Sequence, residues 1–195
     1  MQATQNPEIS EIDNVILDVD LIVRRMADFD FRRANRQEIT AAMELGEELV
    51  KMSLASPSVI AKLHEITEWT AWVTGDPVDG MVLQYPLSPA GEHALRTGTF
   101  TPKDPDHDHM CARGEVCSAI YCAIYAGKTH QARKNIMMAA ATLRFELTPN
   151  LPTFARAATE DGARSMVSLG MIPIEGGLPD LFVQEPISGS RAKAA

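Results

Sequence analysis

Residues 116–126 read Val-Cys-Ser-Ala-Ile-Tyr-Cys-Ala-Ile-Tyr-Ala. No other segment of the chain is as apolar. β-Branched and aromatic side chains fall at both odd and even positions, so neither face of a strand would be left for water. That pattern predicts a central strand buried on both sides. A polar loop over 127–131 and an Ala/Met/Leu-rich helix from Ala132 to about Phe145 follow it. A strand and a helix packed side by side make this a mixed α/β chain.

Working outward, Thr153–Ala158 reads as a strand and Glu160–Leu169 as a helix stopped by Gly170, a residue suited to the position after a helix end. Met171–Ile174 and Leu181–Gln184 read as two last strands around a Gly-Gly-Leu-Pro turn. Upstream, Trp69–Val73 and Met81–Leu87 read as a hairpin whose turn carries Gly75, Asp76, Pro77 and Gly80. Pro86 and Pro89 limit the returning strand, because proline cannot donate into a ladder. Ser88–Arg96 offers one or two helical turns, and 97–110 is polar loop.

Asn35, with Glu38 three residues on, makes a capping box for a helix over 36–54 that turns Ile39, Met43, Leu45, Leu49 and Met52 inward. Ser56-Pro57 starts a second helix through about Glu65. Asp28–Arg32 alternates as a short strand. Ile9, Ile12, Val15, Ile16, Val19, Val23 and Met26 form one stripe of an amphipathic helix over 9–26. The expected organisation is an extension over 1–27 carrying that helix, a domain over 28–185, and a small polar disordered tail over 186–195.

The chain has 195 residues and a net charge of -8. That balance argues against general nucleic-acid binding, which needs clustered Lys and Arg, and leaves room for a local basic pocket. No apolar run reaches the ~20 residues that span a bilayer, and residues 1–12 have no signal-peptide core. Three cysteines, Cys111, Cys117 and Cys122, form no even-numbered framework and suit a reducing cytoplasm.

The element order (strand, two helices, hairpin, long strand, helix, strand, helix, strand pair) resembles that of the Gcn5-related N-acetyltransferase (GNAT) superfamily. Two segments carry the likeness. Residues 120–127 followed by 132–143 look like the family's fourth strand, pyrophosphate loop and next helix. Residues 154–174, with Leu169-Gly170-Met171, are similar to its closing strand–helix passage. The resemblance covers roughly 28–184. It implies a GNAT-like mixed central sheet flanked by helices, with an extra N-terminal amphipathic helix. It also implies an acyl-CoA-dependent N-acyltransferase that takes acetyl-CoA as donor and an amine as acceptor.

In that family the long strand parts from its neighbour, the thioester lies in the gap, and amides opening the next helix receive the pyrophosphate. The resemblance therefore assigns cofactor contacts to Ile124, Tyr125, Ala126, His130, Gln131, Ala132, Arg133, Lys134 and Asn135. The family's loop reads Gln/Arg-x-x-Gly-x-Gly/Ala. Here only Ala132 fills a small-residue slot, Lys134 stands where Gly or Ala is usual, and Thr129 leads. From Val116 to Phe145 there is no Asp or Glu, while Lys128, Arg133, Lys134 and Arg144 fall there, a local positive stretch suited to an anion. The commonest position for the base holds Ser118, with Glu115 nearer the strand's start. The usual tyrosine position holds Met166. Tyr121 and Tyr125, four apart on the strand and hence on one face, are the remaining acids.

The missing tyrosine and the altered loop favour a second reading, a catalytically inactive GNAT-like module that binds a ligand or protein. A third comes from His107, His109 and Cys111. Extended chain would turn all three one way, as zinc ligands. Acceptor groups would come from about 36–68, where Glu47, Glu48, His64 and Glu65 are equally typical of a solvated helix face. The final strands and the N-terminal helix are candidate contacts for a homodimer.

Overall fold

The computed structural model describes residues 15–157 and 159–187. The decisive apolar run folds as two consecutive strands, Val116–Cys117 (β5) and Ala119–Gly127 (β6). Before them stand Val15–Ile16 (β1), Val19–Ala27 (α1), Arg32–Arg33 (β2), Arg36–Val50 (α2), Pro57–Thr67 (α3), Ala71–Thr74 (β3), Gly80–Leu87 (β4) and Pro89–Arg96 (α4). After them come His130–Thr142 (α5), Thr153–Arg156 (β7), Glu160–Ser168 (α6), Ile172–Pro173 (β8) and Leu181–Gln184 (β9). A π-helical turn, Leu143–Leu147, extends α5.

Seven strands form one sheet in the order β2-β3-β4-β6-β7-β9-β8. Every pairing is antiparallel except β6 with β7. Parallel neighbours need a crossover, and α5 supplies it. β1 and β5 make a separate two-stranded ribbon. The arrangement is a mixed α/β sheet flanked by helices, with a further helix, α1, ahead of it in the chain.

The sheet is packed on both faces. On one, Ile39 and Met43 of α2 and Ile60 and Leu63 of α3 meet Leu83, Tyr85, Tyr121 and Phe154. On the other, Ile22 and Met26 of α1 and Ile136 and Ala139 of α5 meet Trp72, Val82 and Ile120. At roughly 25 cal/mol per Å² of apolar surface removed from water, these two layers are the main drive to fold.

Several sequence expectations are corrected. The helix expected over 9–26 begins only at Val19, where the Asp18 carboxylate accepts from the Leu21 N–H at 2.9 Å. Val15 and Ile16 before it pair instead with Cys117 and Val116. Ile9 and Ile12 lie outside the described residues. Over 28–32 the chain turns: the Met26 carbonyl takes the amides of both Phe29 and Phe31, leaving a strand only at Arg32–Arg33.

The capping box is present, with Asn35 accepting from Gln37 and Glu38 and returning its own amide to the Glu38 side chain. That helix stops at Val50, where Lys51 turns left-handed and leaves Met52 outside it; Leu49, still within the helix, is exposed as well. The first residues of the expected tail are held, with the Ile187 amide on the Pro149 carbonyl at 2.8 Å.

His64 on α3 ties that helix to the sheet. Its Nδ1 accepts from the Ala71 amide at 3.1 Å, which requires the neutral ring. Burial, with Arg33 nearby, lowers its pKa to about 4. The unfolded ring titrates near 6.5. Between those values the unfolded chain binds more protons, so stability falls as pH drops from about 6.5 towards 4. Discounted for partial exposure, the loss is on the order of 1–2 kcal/mol. Denaturation followed from pH 7 to pH 4 is expected to lose this part of its slope in His64→Leu. Asn35→Ala is expected to cost about 1 kcal/mol in the same measurement at pH 7.

Candidate functional site

β4 pairs with β6 along its whole length, from Gly80↔Gly127 to Leu87↔Ala119. β7 does not. It pairs only at Ile120↔Thr153, Tyr121↔Phe154 and Cys122↔Ala155. Beyond Cys122 the two parallel strands part, and the backbone edge of 123–127 has no strand beside it. The expected burial on both faces therefore holds only for the first half of β6; Tyr125 is 36% exposed.

At the parting point Leu83 faces Ile124 while the next residue, Gln84, faces Cys122. Ala123 is the extra residue of a β-bulge. One inserted residue exchanges the two faces for everything beyond it. Tyr121 and Tyr125 were expected on one face; the bulge puts them on opposite faces. Tyr121 packs against Tyr85 and Phe100, with ring centroids 5.9 and 5.8 Å away. Burial pushes its hydroxyl up to about 12. Tyr125 turns the other way, towards α5, together with Cys122. Its hydroxyl lies 3.1 Å from Cys122 Sγ and contacts Gln84 Nε2. Although the residue as a whole is 36% exposed, desolvation of its hydroxyl against Gln84, and then Cys122, raise its pKa well above the usual tyrosine value.

A cavity of about 350 Å³ opens at the parting. Its wall on one side is Cys122–Tyr125, and Thr153, Ala155 and Arg156 of β7 face it. α5 and its π-helical turn contribute Met137, Ala140, Ala141, Arg144 and Phe145. Met166 of α6 and Leu169 just past its end close it. The surface is mostly methyl, thioether and ring, with a few polar groups at the base. Such a wall suits an extended, largely apolar chain bearing amides, and the free strand edge offers that chain backbone partners.

Arg144 holds this wall in shape. It is only 7% exposed. It donates to Gln184 Oε1 at 2.9 Å, to the Thr148 and Leu151 carbonyls at 3.2 and 2.8 Å, and to the Glu185 carbonyl. Burial lowers its pKa.

The start of α5 lies further along β6. About 16 Å of extended chain separates Ile124 from Thr129. Gly127 lets the first turn of α5 pack closely against the end of β6: a Cβ there would lie 2.9 Å from the Arg133 amide nitrogen. Thr129 caps the helix by accepting from Ala132 N–H at 3.0 Å and donates to Asp79 Oδ2 at 2.8 Å. The Lys128 amide goes to the Asp79 carbonyl at 2.8 Å. His130 and Gln131 remain in the first turn, where helix amides have no internal partner. Ala132 is buried; His130, Gln131, Arg133 and Lys134 are exposed. Gln131 and Asn135 bond each other at 2.7 Å, and Asn135 reaches Asp30 in the turn after α1, so neither lines the cavity.

The acid-free stretch 116–145 is not acid-free in space. Asp79 approaches through Thr129, and Glu48 lies 3.6 Å from Lys128 Nζ. Ala126 is buried just past the cavity. Glu115 is exposed in the turn before β5, accepts from the Ala112 amide at 3.0 Å, and does not line the cavity.

The sequence reading missed Gln84, Glu92 and the role of Arg144. Gln84 is a lone amide in the apolar run 81–87, and that contrast is its signal. It is 3% exposed, and its Oε1 has no hydrogen-bond partner. An unpaired buried acceptor costs on the order of 1–3 kcal/mol. Glu92 on α4 receives both the Ser118 hydroxyl and Arg96. Nothing in sequence joins it to β6.

The His107–His109 run forms a 3-10 turn instead of extended chain, so the three supposed metal ligands do not face one way. His109 stacks on Phe100 with centroids 5.7 Å apart, and Cys111 is buried. Among the described residues no group of three or more His, Cys, Asp or Glu is placed to hold a metal ion. Among them, too, no helix is long and apolar enough to cross a membrane.

No family model and no curated protein matches the chain. Among solved structures, Ard1 from Thermoplasma volcanium is similar over 78% of this chain and 93% of its own, at 12% identity and a TM-score of 0.46.

Proposed function

We propose that the protein is an acyl-CoA-dependent N-acyltransferase, with acetyl-CoA as a donor and an amine as acceptor. The single observation that carries the reading is the parting of β6 from β7 at Cys122 beside an apolar cavity. A pantetheine arm is an extended chain with amides at intervals. Laid along the free edge of 123–126, it would pair with backbone groups there and bury its methylenes against Met137, Ala140, Ala141 and Met166. Its far end would reach the first turn of α5, where the amides of His130 and Gln131 and the side chains of Arg133 and Lys134 would receive phosphate.

Tyr125 is the acid in this reading. Met166 stands where the resemblance implies a tyrosine, and Tyr125 lines the same cavity from the strand, its hydroxyl beside Cys122, which also lines it. Tyr121 packs on the opposite face and supports β6 there. Glu115, outside the cavity lining, would act as base only through water. Free Cys111, Cys117 and Cys122 accord with a cytoplasmic setting. The exposed Ile172 on the edge strand β8 is a candidate contact for a homodimer.

A second reading, a binding module without catalysis, is favoured by one specific observation: Asp79 brings a carboxylate to the start of α5, where phosphate would sit.

Calorimetric titration with acetyl-CoA tests both. Saturable binding in the micromolar range is expected, and no binding by any of several CoA thioesters overturns the reading. Ala141→Phe, which fills the cavity, is expected to weaken binding at least tenfold in a protein that still folds. Asp79→Asn is expected to tighten it a few-fold, since a charge at a helix N-terminus is worth about 0.3–1 kcal/mol. If acetyl-CoA binds, Tyr125→Phe is expected to slow thiol release by about 10²-fold with binding unchanged; binding with no thiol release from any amine supports the module.

A further inference from the structure

We propose that Gln84 sets the direction of the Tyr125 proton, as a positioning residue for protonating the departing CoA thiolate; the inference rests on the acyl-transfer reading above. Gln84 lies on β4 between Leu83 and Tyr85, each 1% exposed, and opposite Cys122 across the ladder. Leu83 and Tyr85 face the other side of the sheet, while Gln84 faces the side of Val82, Cys122 and Tyr125. An apolar side chain of the same length would fill that place at no polar cost. The amide sits there with its Oε1 unpaired and its Nε2 on the Tyr125 hydroxyl and 3.6 Å from Cys122 Sγ. A buried amide left half-satisfied asks for a reason beyond packing.

The chemistry supplies one. An N–H donated to the phenol oxygen occupies an acceptor position and leaves the phenol proton free. Cys122 Sγ lies 3.1 Å from the hydroxyl, and Tyr125 and Cys122 both line the cavity, so a thiolate seated there would compete with Cys122 for that proton. In the transfer step the acceptor nitrogen attacks the thioester carbonyl carbon, a C–N bond forms, and the C–S bond breaks. The departing thiolate takes the Tyr125 proton and leaves a phenolate. The proton shed by the new amide's nitrogen returns to that phenolate through water. The Gln84 N–H strengthens its bond as charge develops on the phenol oxygen, which is where a preorganised donor contributes most. The Ala123 bulge is part of the device. Without the inserted residue, Tyr125 would face away from Gln84.

The test is a double-mutant cycle on Gln84→Met, Tyr125→Phe and both together. Thiol release from acetyl-CoA is followed with a panel of primary amines, and acetyl-CoA binding is measured separately by calorimetry. The expected result is a fall in kcat of at least tenfold in Gln84→Met with the acetyl-CoA dissociation constant within twofold. On the Tyr125→Phe background the same substitution is expected to add nothing further. The Raman tyrosine doublet, taken as the difference from Tyr125→Phe, is expected to report a phenol that accepts a hydrogen bond in the parent and ceases to in Gln84→Met.

Effects that multiply through the cycle would overturn the proposal, as would a doublet unchanged in folded Gln84→Met. A parent that binds no acetyl-CoA overturns the acyl-transfer reading itself, and the role of Gln84 falls with it. Should Gln84→Met not fold, Gln84→Asn, too short to reach the phenol, takes its place with the same expectations.

Discussion

One inserted residue organises this molecule. Ala123 breaks the β4–β6 register, and immediately beside it β7 leaves β6. A bulge increases local twist and bends its strand. The ladder can satisfy only one neighbour through such a bend, and β4 keeps its pairing to the end. The other edge opens, and everything with chemical interest gathers there: the exposed half of β6, the Tyr125 hydroxyl, and the cavity between α5 and α6. The sheet on either side stays packed. Helices α2 and α3 hold one face, α1 and α5 the other, so the opening is a local feature of a rigid frame.

Much of the frame was legible because its signals are short-range. Asn35 and Glu38 close a capping box, Ser56-Pro57 starts a helix, and Gly170 follows one; each needs only its own neighbours. The apolar run 116–126 marks the central strand for a similar reason. The failures cluster where a distant partner decides. Val15 and Ile16 fit a helical stripe, but strand β5 claims them. Leu49 and Met52 are a different, local failure: Leu49 is exposed within α2, and Met52 lies past the left-handed Lys51 that ends it.

The site divides along the same line. Which strand would carry it was readable, and so was the helix beside it. Which tyrosine faces the cavity was not. Period-two alternation puts Tyr121 and Tyr125 together, and only the pairing with β4 reveals the residue that separates them. The acid-free stretch misled in the same manner, because Asp79 and Glu48 arrive from far along the chain. Gln84 could have been suspected as an amide among apolar neighbours, but its partner lies across the sheet.

The guanidinium of Arg144 carries a last implication. All four of its hydrogen bonds end on uncharged oxygens, one amide and three backbone carbonyls. A clasp of that kind contains no carboxylate to titrate and no exposed ion pair for electrolyte to screen. The π-helical turn and the last strand are thus fastened by hydrogen bonds that involve no carboxylate, and the cavity wall they form leans less on acidity and ionic strength than surface charge pairs do.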